Sequence, residues 1–480
     1  MKPDNYPQQP SHIWEHFYQF TQIPRPSKHE QAVRQYVIDQ AEALGHRWQC
    51  DAVGNLVVYV PATPGMESSG TVIIQNHLDM VTVKTEDKQH DFFRDPLSLA
   101  ISDGWLHADR STLGADNGVG CAAALALMTD DSVAHPPLEL LFTIDEETGL
   151  VGASELDASM LSGERMLNLD TEDWNELYIG CTGGGGWSFT RTFKTELPAS
   201  NLSYFSLSLK GLAGGHSGIQ IHQQLGSAIK LLVDFLQSIE QVQLVHFKAG
   251  VAHNVIPREG EVIFACPSSE AEHLPEILDK LIQQWLGYLP AADHGLSAAL
   301  ETADPAAGLS VEDSTLLLDL LAAFPHGAQS YNLEQPADLV DLSINLACVE
   351  LSEGQLELES SLRFFNAEQA IPLRRSVESL ARLAGLQVEP KAGYPGWQPD
   401  FGSPLLAKAK ALHQRLFGIE PAVKAIHAGL ECGILKSKKP DVDILSFGPT
   451  IRAAHSPSER LEIATVAPFW QLLTALLAEM

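Results

Sequence analysis

Four short apolar runs constrain the fold more than any other feature of the sequence. They occupy residues 71–75, 138–144, 165–169 and 442–447, and several are rich in β-branched residues. Runs of this length that are mostly apolar are typical of parallel strands covered on both faces. From residue 12 to about residue 185, strand-like and helical patterns alternate, which is typical of a βαβ architecture. The predicted fold class is therefore α/β, with a mostly parallel sheet.

Acidic and imidazole side chains follow the ends of these predicted strands. His77 comes two residues after the first run, Glu146 and Glu147 follow the second, and Asp170 follows the third. His455 lies in the loop after the fourth run. In open α/β sheets, ligands gather outside the carboxyl ends of the strands. We therefore expect these side chains to converge, in the pattern of a two-metal hydrolase.

Asp116 approaches the same edge from a helix. In the stretch LGADNGVG at residues 113–120, small residues lead into an Ala/Leu helix ending near Asp130, so the Asp116 carboxylate can point towards the strand ends. Two Zn²⁺ ions carry a total charge of +4 and three carboxylates carry −3, so one bridging hydroxide neutralises the remaining charge of +1. Imidazole and carboxylate ligands without cysteine suit two divalent ions, with Zn²⁺ first and Mn²⁺ or Co²⁺ as alternatives.

Two polar motifs have structural explanations as well as chemical ones. Asp79 follows His77 by two residues, so it can hold the second imidazole nitrogen of a metal-bound histidine. A His–Asp pair that serves stability alone is an equal alternative. The acidic run from Asp145 fits a solvated loop. However, adjacent residues of an extended chain point to opposite sides, so Glu146 and Glu147 are expected to have different tasks. The spacing leaves open which of them binds metal.

The composition is that of a folded protein with more than one domain. The chain has 480 residues, 45% hydrophobic and 19% charged. Its formal net charge of −30 argues against nucleic acid or an anionic membrane as a partner. No apolar signal segment and no run near the about 20 residues of a membrane span occur. The six cysteines are scattered, which is typical of reduced thiols, and we expect a cytoplasmic protein.

The region after residue 186 changes character and predicts an inserted domain. Its elements follow the order β-α-β-β-α-β. A second series follows that begins with a helix and continues with two strands, a helix and a short strand, so we expect two ferredoxin-like units. The α/β pattern then resumes. We predict a discontinuous catalytic domain at residues 1–186 and 393–480, interrupted by an α+β lid domain at 187–392. The glycine run at 182–186 lacks the spacing of a phosphate loop and is interpreted as a hinge.

Three residues of the insert are candidates for contact with a substrate. His216 lies in a glycine-rich turn, and Asn254 and Arg363 lie in strand-like segments. Taken singly, each is more simply explained as an ordinary loop or strand residue. If the insert closes on the cleft, they supply an oxyanion donor and a carboxylate clamp, for which arginine has the right bidentate geometry.

Several motifs in one order make the chain resemble a known family. They are QNHLDMV at 75–81, TLGADNG at 112–118, GGHSG at 214–218, YPGWQPD at 394–400, IHAGLECG at 426–433 and GPT at 448–450. Over essentially its whole length the chain resembles the aminoacyl-histidine dipeptidases, which are bacterial carnosinase-like enzymes of the di-zinc aminoacylase and carboxypeptidase clan. The resemblance implies a di-zinc peptidase-like catalytic domain. It also implies cleavage of Xaa-His and related dipeptides, including the β-Ala-His type.

The resemblance also assigns the metal ligands. It implies that His77 and Asp170 bind one metal ion and that Glu147 and His455 bind the other. Asp116 then bridges the two ions. The attacking group implied is a bridging hydroxide.

Further roles follow from the same resemblance. Glu146 is implied as the general base and Asp79 as the residue that orients the histidine. His216, Asn254 and Arg363 match lid residues that contact the substrate or polarise its carbonyl. Whether the lid histidine acts within its own chain or across a homodimer stays open.

The stretch at 426–433 supplies two more candidates. His427 and Glu431 match residues near the substrate pocket, and His427 rivals His455 for the second metal. We prefer His455 because it follows a predicted strand and matches the clan's final ligand motif. Asp145 departs from the family pattern, in which a neutral residue is commoner, and we expect its charge to raise the pKa of the neighbouring Glu146.

Two other functions compete with this prediction. A tripeptidase or an N-deacylase of the same clan would use the same ligands. A catalytically silent module that binds peptides through metal is the second alternative, but such a module has no need of Glu146 beside its ligands. In each case the partner is a small peptide or a similar amide.

Overall fold

The computed structural model describes residues 2–197, 200–332 and 339–480, which form two compact units. The first unit consists of the chain up to Cys181, Trp397–Ala425 and Leu430–Met480, and the second of Thr182–Gly396 and Ile426–Gly429. The predicted boundaries after residues 186 and 392 thus lie at 181 and 396. They differ because a strand beginning at Gly183 and another ending at Tyr394 both belong to the sheet of the second unit.

The elements before residue 182 belong to the first unit. Its helices there are α1 (Ser11–Gln22), α2 (Gln31–Ala43), α3 (Ala115–Thr129) and α4 (Val151–Glu155). Its strands there are β1 (Arg47–Cys50), β2 (Leu56–Val60), β3 (Val72–His77), β4 (Leu99–Ser102), β5 (Trp105–Ala108), β6 (Leu138–Thr143), β7 (Arg165–Asn168) and β8 (Glu176–Cys181).

The inserted segment follows. Its strands are β9 (Gly183–Thr192), β10 (Thr195–Glu196), β11 (Leu202–Lys210), β12 (Gly215–His216), β13 (Gln243–Ala249), β14 (Val255–Ile256), β15 (Gly260–Pro267), β16 (Ser297–Thr302), β17 (Gly308–Leu309), β18 (Gly327–Tyr331), β19 (Val340–Ser352), β20 (Gln355–Phe364) and β21 (Gln387–Tyr394). Its helices are α5 (Ala228–Gln237), α6 (Leu274–Leu286), α7 (Val311–Ala323) and α8 (Ala367–Leu383).

The remaining elements complete the chain. The strands are β22 (Ala422–Ile426), β23 (Asp443–Ser446), β24 (Ile451–Arg452) and β25 (Arg460–Glu462). The helices are α9 (Pro404–Phe417), α10 (Glu431–Lys438) and α11 (Ile463–Ala478). Short 3-10 helices lie at Ala158–Met160, Ile221–Gln223, Ala271–His273 and Ala291–Asp293.

The main sheet of the first unit has the strand order β1-β2-β6-β3-β7-β23-β8-β22. Its four central strands, β6, β3, β7 and β23, run parallel and correspond to the four apolar runs of the sequence. The prediction of buried parallel strands is therefore confirmed, and antiparallel strands flank them. Every residue of β3 and β6 is buried, as expected for strands covered on both faces.

Helix α3 covers part of this sheet and positions Asp116. Its sequence is apolar all round and 13 of its residues are buried, as expected for a helix inside the protein. The backbone angles of Asp116 and Asn117 are non-helical, and the peptide bond between them is cis. The carboxylate therefore emerges where the helix starts.

The large sheet of the second unit joins two ferredoxin-like units, as the sequence predicts. The first has strands β16-β11-β15-β13 and helices α5 and α6, and the second has strands β19-β20-β9-β21 and helices α7 and α8. Strand β13 pairs with β19 and joins them. The second ferredoxin-like unit is discontinuous in sequence, because its first strand β9 comes before every element of the first ferredoxin-like unit. A core cluster of buried side chains spans both ferredoxin-like units and includes Trp187, Phe235, Phe247 and Phe264.

The glycine run is a strand and not the predicted hinge. Gly183–Gly186 begin β9, which pairs with β20 on one side and β21 on the other. A Cβ on Gly183 would lie 2.5 Å from the amide nitrogen of Gly396, and one on Gly186 would lie 2.2 Å from the carbonyl oxygen of Ser360. The glycines are therefore explained by the close approach of neighbouring backbone.

Among the described residues, no helix is both long and apolar enough to cross a membrane.

Candidate metal centre

Strand β3 ends in a buried histidine that faces three carboxylates. His77 Nε2 lies 3.1 Å from Asp116 Oδ1 and 3.3 Å from Asp170 Oδ1. Its other nitrogen, Nδ1, lies 3.4 Å from Asp79 Oδ1. One ring edge thus faces two carboxylates of the site, and the other faces the aspartate two residues along the chain. This arrangement suits a neutral imidazole that binds a cation through Nε2 while Asp79 holds Nδ1–H.

Asp79 holds the loop after β6 as well as the histidine. Its Oδ1 accepts a hydrogen bond from the Glu146 N–H and its Oδ2 from the Glu147 N–H, each at 3.1 Å, and Ser27 Oγ donates to Oδ2 at 2.7 Å. Burial alone would raise the pKa of Asp79, but hydrogen bonding and charge from His77, with these other donors, lower it to about 2. Asp79 is therefore an ionised anchor that ties β3 to the acidic loop.

Asp116 lies between the two histidines of the site. Its Oδ1 faces His77, while its Oδ2 lies 3.2 Å from His455 Nε2. His455 Nε2 also lies 3.0 Å from Glu147 Oε2. Its side chain is 56% exposed, and its backbone lies in the left-handed region with φ 63°. The two oxygens of one carboxylate thus face two separate donor groups, the geometry expected of a bridging ligand.

The donor atoms fall into groups that fit divalent cations. Two groups share Asp116: one adds His77 and Asp170, the other adds Glu147 and His455, and the ligand atoms of each lie within 4.8 Å of one another. Glu147 Oε1 is buried and has no hydrogen-bond partner among the described residues. Carboxylate oxygens and imidazole nitrogens without thiolates are a donor set for Zn²⁺, Mn²⁺ or Co²⁺. The side chains present therefore fit two such ions.

Glu146 lies beside these groups and forms a third one with His77 and Glu147. Burial raises its pKa well above the usual range, and the negative charges of Asp170, Glu147 and Glu431 raise it further, while His77 opposes them. Asp145, whose charge the sequence analysis expects to raise this pKa, is not among the groups that shift it most, and its Oδ1 accepts a hydrogen bond from Thr148 Oγ1. The largest repulsion comes from Asp170, Glu147 and Glu431.

Glu431 lies close enough to the candidate metal centre for its charge to raise the pKa of Glu146. It belongs to the first unit, whereas its neighbour in the motif, His427, belongs to the second. Glu431 is fully buried, and Gln75 Nε2 and Thr143 Oγ1 each donate to its Oε2 at 2.6 Å. Burial raises its pKa to about 8. Strand side chains therefore hold Oε2 of this carboxyl group, whereas its buried Oε1 has no hydrogen-bond partner among the described residues.

His427 is engaged inside the second unit. Its Nε2 lies 2.7 Å from Ser343 Oγ, and burial, followed by the charge of Arg363, lowers its pKa to about 3. The groups of potential metal ligands found in the described part of the chain include His455 and not His427. The geometry therefore favours His455 of the two rivals.

The other lid candidates surround Gly218. A Cβ on Gly218 would lie 2.4 Å from the His427 carbonyl oxygen, 2.9 Å from His216 Cε1 and 3.0 Å from Arg363 Cζ. His216 Nδ1 accepts hydrogen bonds from the N–H groups of Gly218 and Ile219 at 3.2 Å each, so in the neutral ring Nε2 carries the proton. Burial and the nearby arginine lower the pKa of His216, which favours the neutral form.

Arg363 and Asn254 occupy neighbouring parts of the same unit. Arg363 Nη1 donates to Tyr394 Oη at 3.3 Å, and its buried Nε has no hydrogen-bond partner among the described residues. The carbonyl oxygen of Asn254 accepts a hydrogen bond from the Ser217 N–H at 2.8 Å, which ties it to the GGHSG turn. The second unit thus brings His216, Arg363 and His427 around one glycine.

Sequence reasoning missed the residues that support the ligands. Asn117 Nδ2 donates to Asp170 Oδ1, and Glu459 accepts hydrogen bonds from the backbone that leads into Asp116. Arg25 donates to backbone carbonyls next to the ligands. Asn117 and Glu459 each follow a ligand closely in sequence, which was a usable signal, whereas nothing in the sequence marks Arg25.

Comparison with known proteins places the chain among peptidases. It matches the family model described as peptidase family M20/M25/M40 over residues 73–479. It is 37% identical, over 98% of both chains, to the cytosol non-specific dipeptidase of Escherichia coli (strain K12). The crystal structure of aminoacylhistidine dipeptidase from Vibrio alginolyticus superposes with a TM-score of 0.92 at 36% identity, covering 98% of this chain and 97% of that one. The aminopeptidase PepT of Bacillus cereus, at 14% identity, a TM-score of 0.55 and 98% coverage of both chains, shares the fold alone.

Proposed function

The chain belongs to peptidase family M20/M25/M40, and from this premise we propose that it is a metal-dependent dipeptidase that hydrolyses Xaa-His and related dipeptides. The observation that carries the proposal is the convergence of four potential ligands around Asp116, with Glu146 beside them. The relatives named for dipeptidase activity match nearly the whole chain, so both units of the fold are present for such a substrate. The relative's name also supports a place in the cytosol, which we include in the proposal.

His77, Asp170 and Asp116 would hold one divalent ion, and Asp116, Glu147 and His455 the other. Such ions, when bound, polarise the scissile carbonyl and lower the pKa of a bound water molecule. Zn²⁺ is our first choice of metal, with Mn²⁺ and Co²⁺ as alternatives that use the same donors.

Glu146 is proposed as the proton carrier of the reaction. Its carboxylate takes a proton from the attacking water and later returns it to the leaving amine nitrogen. Asp79 accepts a hydrogen bond from the Glu146 N–H and faces the Nδ1 edge of His77. The position of the proposed base relative to this metal ligand is therefore fixed. Burial and the neighbouring carboxylates raise the pKa of Glu146, which favours its holding the proton until the proton passes to the leaving amine.

The second unit is proposed to bind the rest of the dipeptide. His216 has Nε2–H free to donate to the substrate carbonyl, and Arg363 can pair with the terminal carboxylate. Asn254 is retained as a third contact. His427 is left out of these contacts, since its Nε2 lies 2.7 Å from Ser343 Oγ.

We expect Gly218→Ala to weaken substrate binding. The new methyl group would lie too close to the His427 carbonyl, His216 and Arg363, so both proposed contact residues must move. A misplacement of about 1 Å can cost on the order of 10²-fold in rate. Steady-state kinetics with β-Ala-His should show a raised KM or a lowered kcat/KM while bound metal is unchanged.

Gly287→Ala is the matched control for this variant. It lies in the same unit, and its added Cβ would meet nothing nearer than 3.2 Å. Equal kinetics for the two variants would remove His216 and Arg363 from the substrate site.

A substrate panel with metal analysis tests the proposed function. We expect purified protein to contain divalent metal and to cleave β-Ala-His and Leu-Gly, with activity lost on chelation and restored by Zn²⁺, Mn²⁺ or Co²⁺. Turnover restricted to tripeptides or to N-acetyl amino acids would favour the other amidohydrolases of the clan. Peptide binding without any turnover would favour a silent binding module. Size measurement in solution would decide between a monomer and a homodimer.

A further inference from the structure

The loop that carries Asp116 is held by a buried carboxylate outside the ligand set. The N–H groups of Leu113, Gly114, Ala115 and Asp116 donate to the Glu459 carboxylate at 2.7, 2.9, 2.7 and 3.3 Å. Glu459 is only 2% exposed. Four consecutive backbone donors thus converge on one anion, which fixes the path of the chain up to Asp116.

A buried guanidinium holds the same loop from its carbonyl side. Arg25 donates through Nη2 to the Gly114 carbonyl, and through Nη1 to the carbonyls of Leu78 and Asp79 at 2.8 and 2.6 Å. Arg25 is also 2% exposed. It therefore bridges the loop of Asp116 and the residues that follow His77.

Glycines make room for this guanidinium. A Cβ on Gly114 would lie 2.5 Å from Arg25 Nη2, and one on Gly118 would lie 2.7 Å from the same atom. Gly114 also has a φ of 66°, in the left-handed region that favours glycine. The TLGADNG motif is thus shaped to receive Arg25 as well as to present Asp116.

Glu459 links the loop to another ligand as well. It lies four residues after His455, on a turn in which the Glu459 N–H donates to the Ser456 carbonyl at 3.1 Å. Arg25 and Glu459 together therefore connect the backbone around His77, Asp116 and His455. Charges so deeply buried are costly unless they are hydrogen-bonded, and here the partners are backbone groups next to the ligands.

We propose that Arg25 and Glu459 are positioning residues that set the spacing of the two halves of the metal centre. They contact no substrate and bind no metal, and they act by holding the backbone on either side of Asp116. This inference rests on the proposed two-metal function. Metal affinity of the apo-protein is therefore the property they control.

The test compares metal affinity with stability in Glu459→Gln. The amide NH2 of glutamine would face backbone N–H groups, so the loop must shift while the side-chain volume is kept. We expect calorimetric titration of the chelator-treated protein with Zn²⁺ to show an affinity lowered about 10–100-fold, as for residues that support metal ligands. Arg25→Lys, which keeps the charge but loses the planar fork, should lower the affinity as well.

Glu139→Gln is the matched control. Glu139 is likewise buried and accepts hydrogen bonds from the N–H groups of Ser162 and Gly163, but it lies at the opposite end of the strands, near the start of β6. We expect it to lower the melting temperature of the apo-protein and to leave Zn²⁺ affinity unchanged. If Glu459→Gln and Arg25→Lys behave like this control, the two residues are only structural and the inference is overturned. A wild-type protein that binds no metal would instead refute the proposed function itself.

Discussion

Glu146→Gln is expected to lower kcat by a factor on the order of 10²–10⁴ while the protein keeps its bound metal. Glutamine has nearly the same shape as glutamate but cannot accept a proton at neutral pH. The backbone N–H of residue 146, which donates to Asp79 at 3.1 Å, is untouched by the substitution. Steady-state rates with β-Ala-His and metal content measured on the same preparation check the prediction.

The metal measurement matters because Glu146 also lies within reach of His77 and Glu147 in a potential ligand group. If Glu146 were a ligand, the glutamine variant would lose metal together with activity. Loss of activity without loss of metal is the signature of a base. Glu155→Gln, a change at an exposed glutamate on helix α4, is the control and should retain full activity. Undiminished turnover in Glu146→Gln would remove this residue from the mechanism.

The parallel strands of the first unit could be predicted because burial on both faces leaves a direct mark on the sequence. Residues 71–75 and 138–144 are mostly apolar, and β3 and β6 are buried along their whole length. Polar residues at the carboxyl ends of such strands stand out against this background. His77 and Asp170 could therefore be proposed as neighbours, and the structure places them 3.3 Å apart.

The residues that support the ligands could not be found in this way. Arg25 and Glu459 act on backbone carbonyl and N–H groups, and every residue type except proline offers both. Such contacts leave no pattern in the sequence of the contacted segments, apart from occasional glycines. Glu431 shows a related limit, because a glutamate beside a helix start gives no sign that Gln75 and Thr143 will enclose it.

The hinge prediction for the glycines at the start of strand β9 is wrong for a different reason. Four glycines in succession carry no apolar pattern, so the local sequence favours a flexible connection. Their conformation is set by β20 and β21, which come much later in the chain and approach β9 from both sides. Non-local pairing of this kind also explains why the second ferredoxin-like unit seemed to lack its first strand.

Asp116→Asn is expected to have the largest effect of any single change at the site. Asp116 Oδ1 faces His77 and Oδ2 faces His455, so one substitution weakens both groups of ligands. Asparagine removes one negative charge and can offer only its carbonyl oxygen to a cation. We expect the loss of metal affinity to exceed the about 10–100-fold that is typical of residues behind a ligand. Activity should fall in parallel with bound metal.

The number of ions lost distinguishes a bridging Asp116 from a ligand of one ion. Titration of the apo-protein with Zn²⁺ should show both binding events weakened in Asp116→Asn, whereas His455→Ala should weaken one event and spare the other, because His455 belongs to one donor group. Asp131→Asn, an exposed aspartate just after helix α3, is the control and should bind as the wild type does. If Asp116→Asn retained one site of wild-type affinity, Asp116 would serve a single ion.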